Sequence, residues 1–425
     1  MDMEGTGIYS CRQFGNQEAM KVVNQEKGFT LVELLVTMVV FVLILTATSN
    51  TFIDLLKDFK KQSSQSETNI EGAVGLETLR RDIESAGYGL PWAVTGDVTT
   101  WAGITGYTEG ANSGTPNPST YNDGGGSAPR AFVFGNNAGA NFSAGAGSSD
   151  HLVIKAINVA ENNASSKWTL LSNGNIAKEW VPTTDILPNN SRVIVISPGG
   201  TTGNNRLLVT RTGGVFYTTY NNVAGADNLA NGTDFDSSDE TRVVYGVHNA
   251  TDLRMPFNRA DYFIERPATG ISSTCAQNIG VLYKATVNHS SAAAGEYNKV
   301  PILDCVADMQ VVFALDNNGN GAFVAGEGSS PCTDAYSSDL LDCSAGTPLT
   351  AAQIRTRVKE VRVYILAQEG QMDRTYTYPL PTIAIPAAPD PAAGSGRTFD
   401  LTNIANWRNY RWKIYTLIIK PNNLE

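Results

Sequence analysis

An unbroken apolar run comes before any other pattern in the chain. Residues 29–48 read Phe-Thr-Leu-Val-Glu-Leu-Leu-Val-Thr-Met-Val-Val-Phe-Val-Leu-Ile-Leu-Thr-Ala-Thr, and Glu33 is their only charge. About 20 apolar residues in a helix cross the hydrocarbon core of a bilayer, so the run predicts a membrane-spanning helix. A carboxylate near its end is costly in lipid and marks function. After Thr48 the pattern turns amphipathic. Phe52, Leu55, Leu56, Phe59, Ile70, Val74, Leu79 and Ile83 recur at roughly helical spacing, with Lys57, Asp58, Lys60, Lys61, Glu67, Glu71, Glu77, Arg80, Arg81, Asp82 and Glu84 among them. Gly72 and Gly75 weaken the middle, and Gly87-Tyr88-Gly89-Leu90-Pro91 stops the helix. The spacing predicts one long helix from residue 29 to about 86. Its first half is apolar all round, and its second half has one face that a sheet must cover. No heptad repeat supports a coiled coil instead.

Beyond the helix the pattern shortens to strand length. Strands are predicted at 151–157, 192–196, 206–211, 242–247, 261–266, 279–286, 306–314, 359–367 and 411–419, with a short one at 131–134. Helical patterns of 10–15 residues do not alternate with them, which argues for an antiparallel arrangement, in one or two sheets, over a parallel βαβ sheet. Residues 91–149 are rich in Gly, Asn, Ser and Thr and read as long loops. The fold class is α+β: a long N-terminal helix, first transmembrane and then amphipathic, packed on a mainly antiparallel β-sheet head with long loops.

Composition narrows the function. At 425 residues the chain can bury a sizeable core. Its formal charge of −10 makes nucleic acid an unexpected partner. Apart from Cys11 the cysteines are Cys275, Cys305, Cys332 and Cys343, an even number that suits disulfides in an oxidising compartment. Four cysteines allow three pairings. Cys332 and Cys343 share one loop-like stretch, which favours that pair and, by elimination, Cys275 with Cys305. Zinc fits poorly, because no CxxC spacing occurs and His151, His248 and His289 lie elsewhere. GxSxG, HExxH, Walker A and dinucleotide-binding patterns are absent, so no enzyme is expected. The aspartates are scattered, and solvated or turn-forming roles are the default for them. Trp168, Trp180, Trp407, Tyr410, Trp412 and Tyr415 fit sheet packing better than a sugar-binding shelf.

The junction before the apolar run adds a specific signal. Lys27-Gly28-Phe29-Thr30-Leu31-Val32-Glu33 resembles the class III signal of type IV pilins and pseudopilins. The resemblance implies cleavage by a prepilin peptidase after Gly28, N-methylation of Phe29, and an assembly role for Glu33 as the fifth residue of the mature chain. It divides the chain into a leader at 1–28, a transmembrane or filament-core half-helix at 29–48, an amphipathic half at 49–88, and a periplasmic or extracellular head at 89–425. Met20 would open a short, basic-ended leader like those of type IVa prepilins, and is expected to be the true start. The run Arg81-Asp82-Ile83-Glu84-Ser85-Ala86-Gly87-Tyr88 resembles the helix end of PilW-type minor pilins. Ser149-Asp150-His151-Leu152, Tyr262-Phe263-Ile264 and Tyr410-Arg411-Trp412 resemble strands of the same family, in the same order.

That resemblance implies insertion in the inner membrane, co-assembly with other minor pilins and the major pilin, priming of filament growth, and a place at the pilus tip beside a large tip adhesin. A GspJ-like pseudopilin of type II secretion has a similar layout, and a tip adhesin binding through its loops is a third reading. Residues 316–327 fit the calcium-loop pattern D-x-[DN]-x-[DN]-G-x5-E. Asp316, Asn318 and Asn320 would supply side-chain oxygens, Ala322 its carbonyl, and Glu327 two closing oxygens. With two carboxylates, affinity would be that of an extracellular module, about 10⁻⁴ to 10⁻³ M. An ordinary Asn-Gly turn between strands is the competing explanation.

Overall fold

The computed structural model describes residues 28–123, 126–143, 148–172, 175–176, 185–199, 206–221, 229–230, 234–235, 240–249, 252–289, 293–386 and 390–424. One helix, α1 (Leu31–Ser85), carries the chain through its N-terminal stretch. Two compact units meet within it, Met1–Lys60 and Lys61–Glu425.

The described part of the first unit, residues 28–60, is exposed throughout. Leu31, Val36, Phe41 and Ile44 are each more than half exposed, so none of the unit's described residues covers this apolar surface. It is long and apolar enough to cross a membrane. Its hydroxyls suit lipid, where each polar group needs an internal partner. Thr37 donates to the Leu34 carbonyl at 2.9 Å, Thr46 to Val42 at 2.8 Å and Thr48 to Ile44 at 2.8 Å.

In the second unit the strands form two large sheets, numbered in chain order. The main sheet contains β2 (Phe132–Gly135), β3 (His151–Ala156), β10 (Asn258–Glu265), β11 (Gly280–Val287), β12 (Tyr297–Leu315), β15 (Ala335–Ser337), β16 (Val358–Glu369) and β19 (Arg411–Ile419). Its spatial order is β19-β16-β12-β11-β10-β3-β2, with β15 beside β12, and every pairing is antiparallel. The second sheet contains β1 (Ala93–Gly96), β4 (Trp168–Ser172), β5 (Asn175–Ile176), β6 (Arg192–Ser197), β7 (Leu207–Thr210), β8 (Thr218–Thr219) and β9 (Arg242–His248). Its order is β1-β7-β6-β9-β4-β5, with β8 beside β6 and with β1–β7 parallel. Two ribbons, β13 (Gly328–Ser329) with β14 (Cys332–Thr333) and β17 (Thr382–Ile385) with β18 (Arg397–Asp400), complete the strands among the described residues. The architecture is α+β, as the apolar patterning predicts.

Each strand expected from alternation is present. The largest change is in β12, which begins at Tyr297 instead of 306. Its first half carries exposed residues, Pro301 and register shifts against β11, so no alternation betrays it. A short helix, α2 (Ala351–Arg357), is capped by a reciprocal Thr350–Gln353 box.

The core lies where α1 crosses the main sheet. Leu76, Leu79, Ile83 and Ala86 are buried in one cluster with Tyr262, Leu282 and Leu303. Gly72 and Gly75 permit that approach. A Cβ on Gly72 would meet the Tyr415 hydroxyl at 3.1 Å, and one on Gly75 would collide with the Ile302 carbonyl. The helix propensity lost at two glycines is thus exchanged for close packing. Within this interface Asp82 accepts from the Tyr262 hydroxyl at 2.6 Å and pairs with Lys284 at 2.8 Å. Burial pushes the Asp82 carboxyl up from its ordinary value, against the pull of Lys284.

Candidate processing and assembly site

The sequence places Gly28, Phe29 and Glu33 within one turn of the helix start. Gly28 and Phe29 precede α1 in a non-helical, exposed stretch; Phe29 is 82% exposed and a Cβ on Gly28 would touch nothing within 4 Å. Gly28 and Phe29 are thus uncovered by the described residues.

Thr30 is the N-cap, because its carbonyl accepts the first helical hydrogen bond from Leu34 N at 3.1 Å. Glu33 N donates to Thr30 Oγ1 at 3.3 Å, while Glu33 Oε2 accepts from Thr30 N and Thr30 Oγ1 at 3.2 Å each. This is a capping box, with the carboxylate at the positive end of the helix dipole. Thr30-x-x-Glu33 thus has a local role, holding the helix start, that leaves the carboxylate exposed.

Residues 23–49 match the model of the prokaryotic N-terminal methylation motif. That motif marks type IV pilin-like and pseudopilin prepilins, a structural family whose members are processed by a prepilin peptidase and assemble with other pilin-type subunits. The apolar half of α1 suits membrane anchoring before assembly. No curated protein and no solved structure matches the chain. The leader before Gly28, including Cys11 and Met20, lies outside the described residues, as does Trp180.

The calcium-like stretch forms one loop between β12 and β13. Asp316 is buried and accepts from Gly319 N at 2.7 Å and Gly321 N at 2.8 Å. Asn318 accepts from Asn320 N at 2.9 Å, and Asn320 from Ala322 N at 2.9 Å. Asp334, outside the pattern, accepts from Asn317, Asn318 and Val324 amides. Lys359 Nζ stands 3.7 Å from Asp316 Oδ2. Glu327 is exposed, and among the described residues no three His, Cys, Asp or Glu side chains are grouped to hold a metal. The geometry fits a turn closed on its own amides. It fits a cation only in part, through the remaining lone pairs of Asp316, Asn318 and Asn320.

Cys275 is bonded to Cys305, tying the segment before β11 to β12, and Cys332 is bonded to Cys343. Cys305 adopts a left-handed backbone (φ 55°) where β12 changes register against β11. Among the aromatics, Tyr410 and Trp412 are buried, and Trp412 Nε1 donates to the Trp407 carbonyl at 3.0 Å.

The turn-forming default holds for Asp316 and Asp334, which accept loop amides, but a solvated role fails for several aspartates. Asp82, Asp150, Asp261, Asp308, Asp316 and Asp334 are all buried, because each is paired or accepts backbone amides. The densest cluster lies on the main-sheet face that carries Lys155, Arg259, Asp261 and His151. Arg259 grips Asp261 with two bonds of 2.7 Å, and His151 Nε2 lies 3.0 Å from the same carboxylate. Burial opposes ionisation of Asp261, but the Arg259 charge and the hydrogen bonds of His151 and Arg259 outweigh it and hold the carboxyl well below its ordinary value. Glu109, Asn122 and Asp123, from the Gly- and Asn-rich segment, reach this face and bond Lys155 and Arg259. The sequence signal is the pair of polar residues His151 and Lys155, four apart on one face of the apolar strand His-Leu-Val-Ile-Lys-Ala.

Proposed function

We propose that this chain is a minor pilin of the PilW type, which joins other minor pilins to prime a type IV pilus and stays at its tip. The observation that carries the proposal is the exposed apolar half of α1, opened by Gly28, Phe29 and Glu33, on a large two-sheet head. A bulky head suits a subunit used in few copies, because stacking it along a filament is geometrically awkward. The Arg81–Tyr88 run, with Asp82 holding the helix to the head, supports the PilW type within that class. Glu33 would meet the methylated amine of a neighbouring subunit once the anchors pack away from water, where a carboxylate needs a partner. Its role there is to set subunit register.

A structural calcium ion at residues 316–327 belongs to the same proposal. Asp316, Asn318, Asn320 and the Ala322 carbonyl would hold it, and Glu327 would have to close over the loop.

Deleting the gene and scoring filaments and secretion separately tests the reading. Loss of surface pili with intact protein secretion is expected, with methylated Phe29 at the N-terminus of the membrane-extracted protein and other pilin-type subunits recovered with it. Loss of secretion with normal pili would replace it with the GspJ-like pseudopilin.

A further inference from the structure

We propose that Lys155 and Asp123 are joined by an intramolecular amide bond, formed with the help of Glu109. The Lys155 side chain is fully buried, with Glu109 2% and Asp123 3% exposed. Lys155 Nζ lies 2.6 Å from Asp123 Oδ2 and 2.7 Å from Glu109 Oε2, and 5.3 Å from the centre of the Phe257 ring. A nucleophile, an acyl carbon and a second carboxyl thus share one enclosed place, held within van der Waals reach by the fold.

The remaining contacts suit acyl transfer. Arg130 Nε bonds Asp123 Oδ1 at 2.5 Å and Arg130 N bonds Oδ2 at 2.9 Å, so the guanidinium faces the oxygen on which negative charge would develop. Glu109 is itself fixed: Oε1 accepts from the Tyr107 hydroxyl at 3.1 Å and Asp123 N at 3.2 Å, and Arg259 Nη1 stands 3.4 Å from Oε2. A proton first passes from the Lys155 ammonium to the Asp123 carboxylate, giving neutral amine and neutral acid. Burial of Asp123 favours that exchange, and the charges of Lys155 and Arg130 oppose it and hold the carboxyl below its ordinary value, so the reactive pair is a minor form. Nζ then attacks Cγ. Glu109 takes a proton from Nζ and returns it to Oδ2, the Cγ–Oδ2 bond breaks, and one water leaves. No oxidant or co-reactant is needed. The product removes one positive and one negative charge together, so the rest of the network, Arg130 and Arg259 with Glu109 and Asp261, stays balanced. The bond would staple the segment around residues 109–130 to β3.

The same chain holds an internal contrast. Lys284 Nζ is 2.8 Å from Asp82, also buried, but its nearest second carboxyl, Glu161, is 4.0 Å away and 72% exposed. Lys284 should therefore remain an ion pair. The test is mass mapping of the full-length protein, extracted in detergent, then reduced, denatured and digested with trypsin. A joined pair of peptides containing residues 123 and 155, lighter by one water than their sum, is expected, with no cleavage after Lys155 and normal cleavage after Lys284. Glu109→Gln and Lys155→Arg should each restore separate peptides. Quantitative recovery of unlinked wild-type peptides cut at Lys155 would overturn the proposal, whether or not the variants fold. A fully linked and folded Glu109→Gln protein would overturn the role of Glu109.

Discussion

Glu33 and Asp82 sit on the same helix in opposite surroundings. Around Glu33 the helix is exposed and apolar, and the carboxylate bonds only to Thr30, three residues earlier, among the described residues. Around Asp82 the helix is covered, and the carboxylate is held by Tyr262 and Lys284 from β10 and β11. The head thus pairs the Asp82 carboxylate within the same chain. The anchor leaves both its apolar surface and its charge uncovered by any described residue of this chain. This difference is the one that the proposed assembly role of Glu33 would exploit.

The largest effect should come from the anchor. Glu33→Ala should leave processing and membrane insertion intact while recovery of partner subunits falls by about two to three and a half orders of magnitude, since a broken buried ion pair costs about 3–5 kcal/mol. Co-purification from membranes measures it, and wild-type recovery would refute the role. Glu33→Gln sharpens the comparison, because it can keep the capping box without the charge. Assembly by the Gln variant would assign Glu33 to capping alone.

Next comes the head. Asp82→Ala strands Lys284 in the core and should cost about 3–5 kcal/mol of stability, read as a lower melting temperature. Insertion of the anchor should be unaffected. An unchanged melting temperature would break the contrast between the two carboxylates.

Acid should act on the head through its buried histidines. Burial, with His248 and Arg254 nearby, lowers His289 to about 3, so the fold keeps it neutral. Its contribution is present above the ordinary histidine value near 6.5 and is lost as pH falls from there toward about 3, because only the unfolded chain takes up the proton. The loss should be about 1.4 kcal/mol per pH unit. Burial raises Asp150 to about 7, and that group acts in the opposite sense, so the measurement is the difference between wild type and His289→Gln. Denaturant titrations of the two proteins between pH 7 and 4 should diverge at that slope, and parallel curves would refute it.

The smallest effect is calcium. A site of about 1 mM affinity gains about 1 kcal/mol at a few millimolar calcium, a rise of a few degrees at most. Asp316→Ala should abolish the rise. No rise in wild type would leave residues 316–327 as a closed turn.

Much of this was legible in the residues themselves. Helix α1, its apolar first half, the junction at Gly28 and Phe29 and the long strands follow from local pattern, because periodicity and a contiguous apolar run are properties of neighbours in sequence. The capping box at Thr30 and Glu33 was equally local, with both partners within one turn. What the pattern could not reveal was pairing across distance. Gly75 reads as a weak point of a helix until the Ile302 carbonyl is seen against it. Lys155 reads as an oddity in a strand until Glu109 and Asp123 reach it from a segment that looks like featureless loop. Asp82, Asp261 and Asp308 read as solvated or turn-forming until the sheets bring cations to them. A buried charge is tolerated only where partners converge in three dimensions, and that convergence is decided by topology and register. The sequence by itself determined the long apolar half of α1 and the methylation motif at its start; only the tertiary structure decided which charges are buried and what they face.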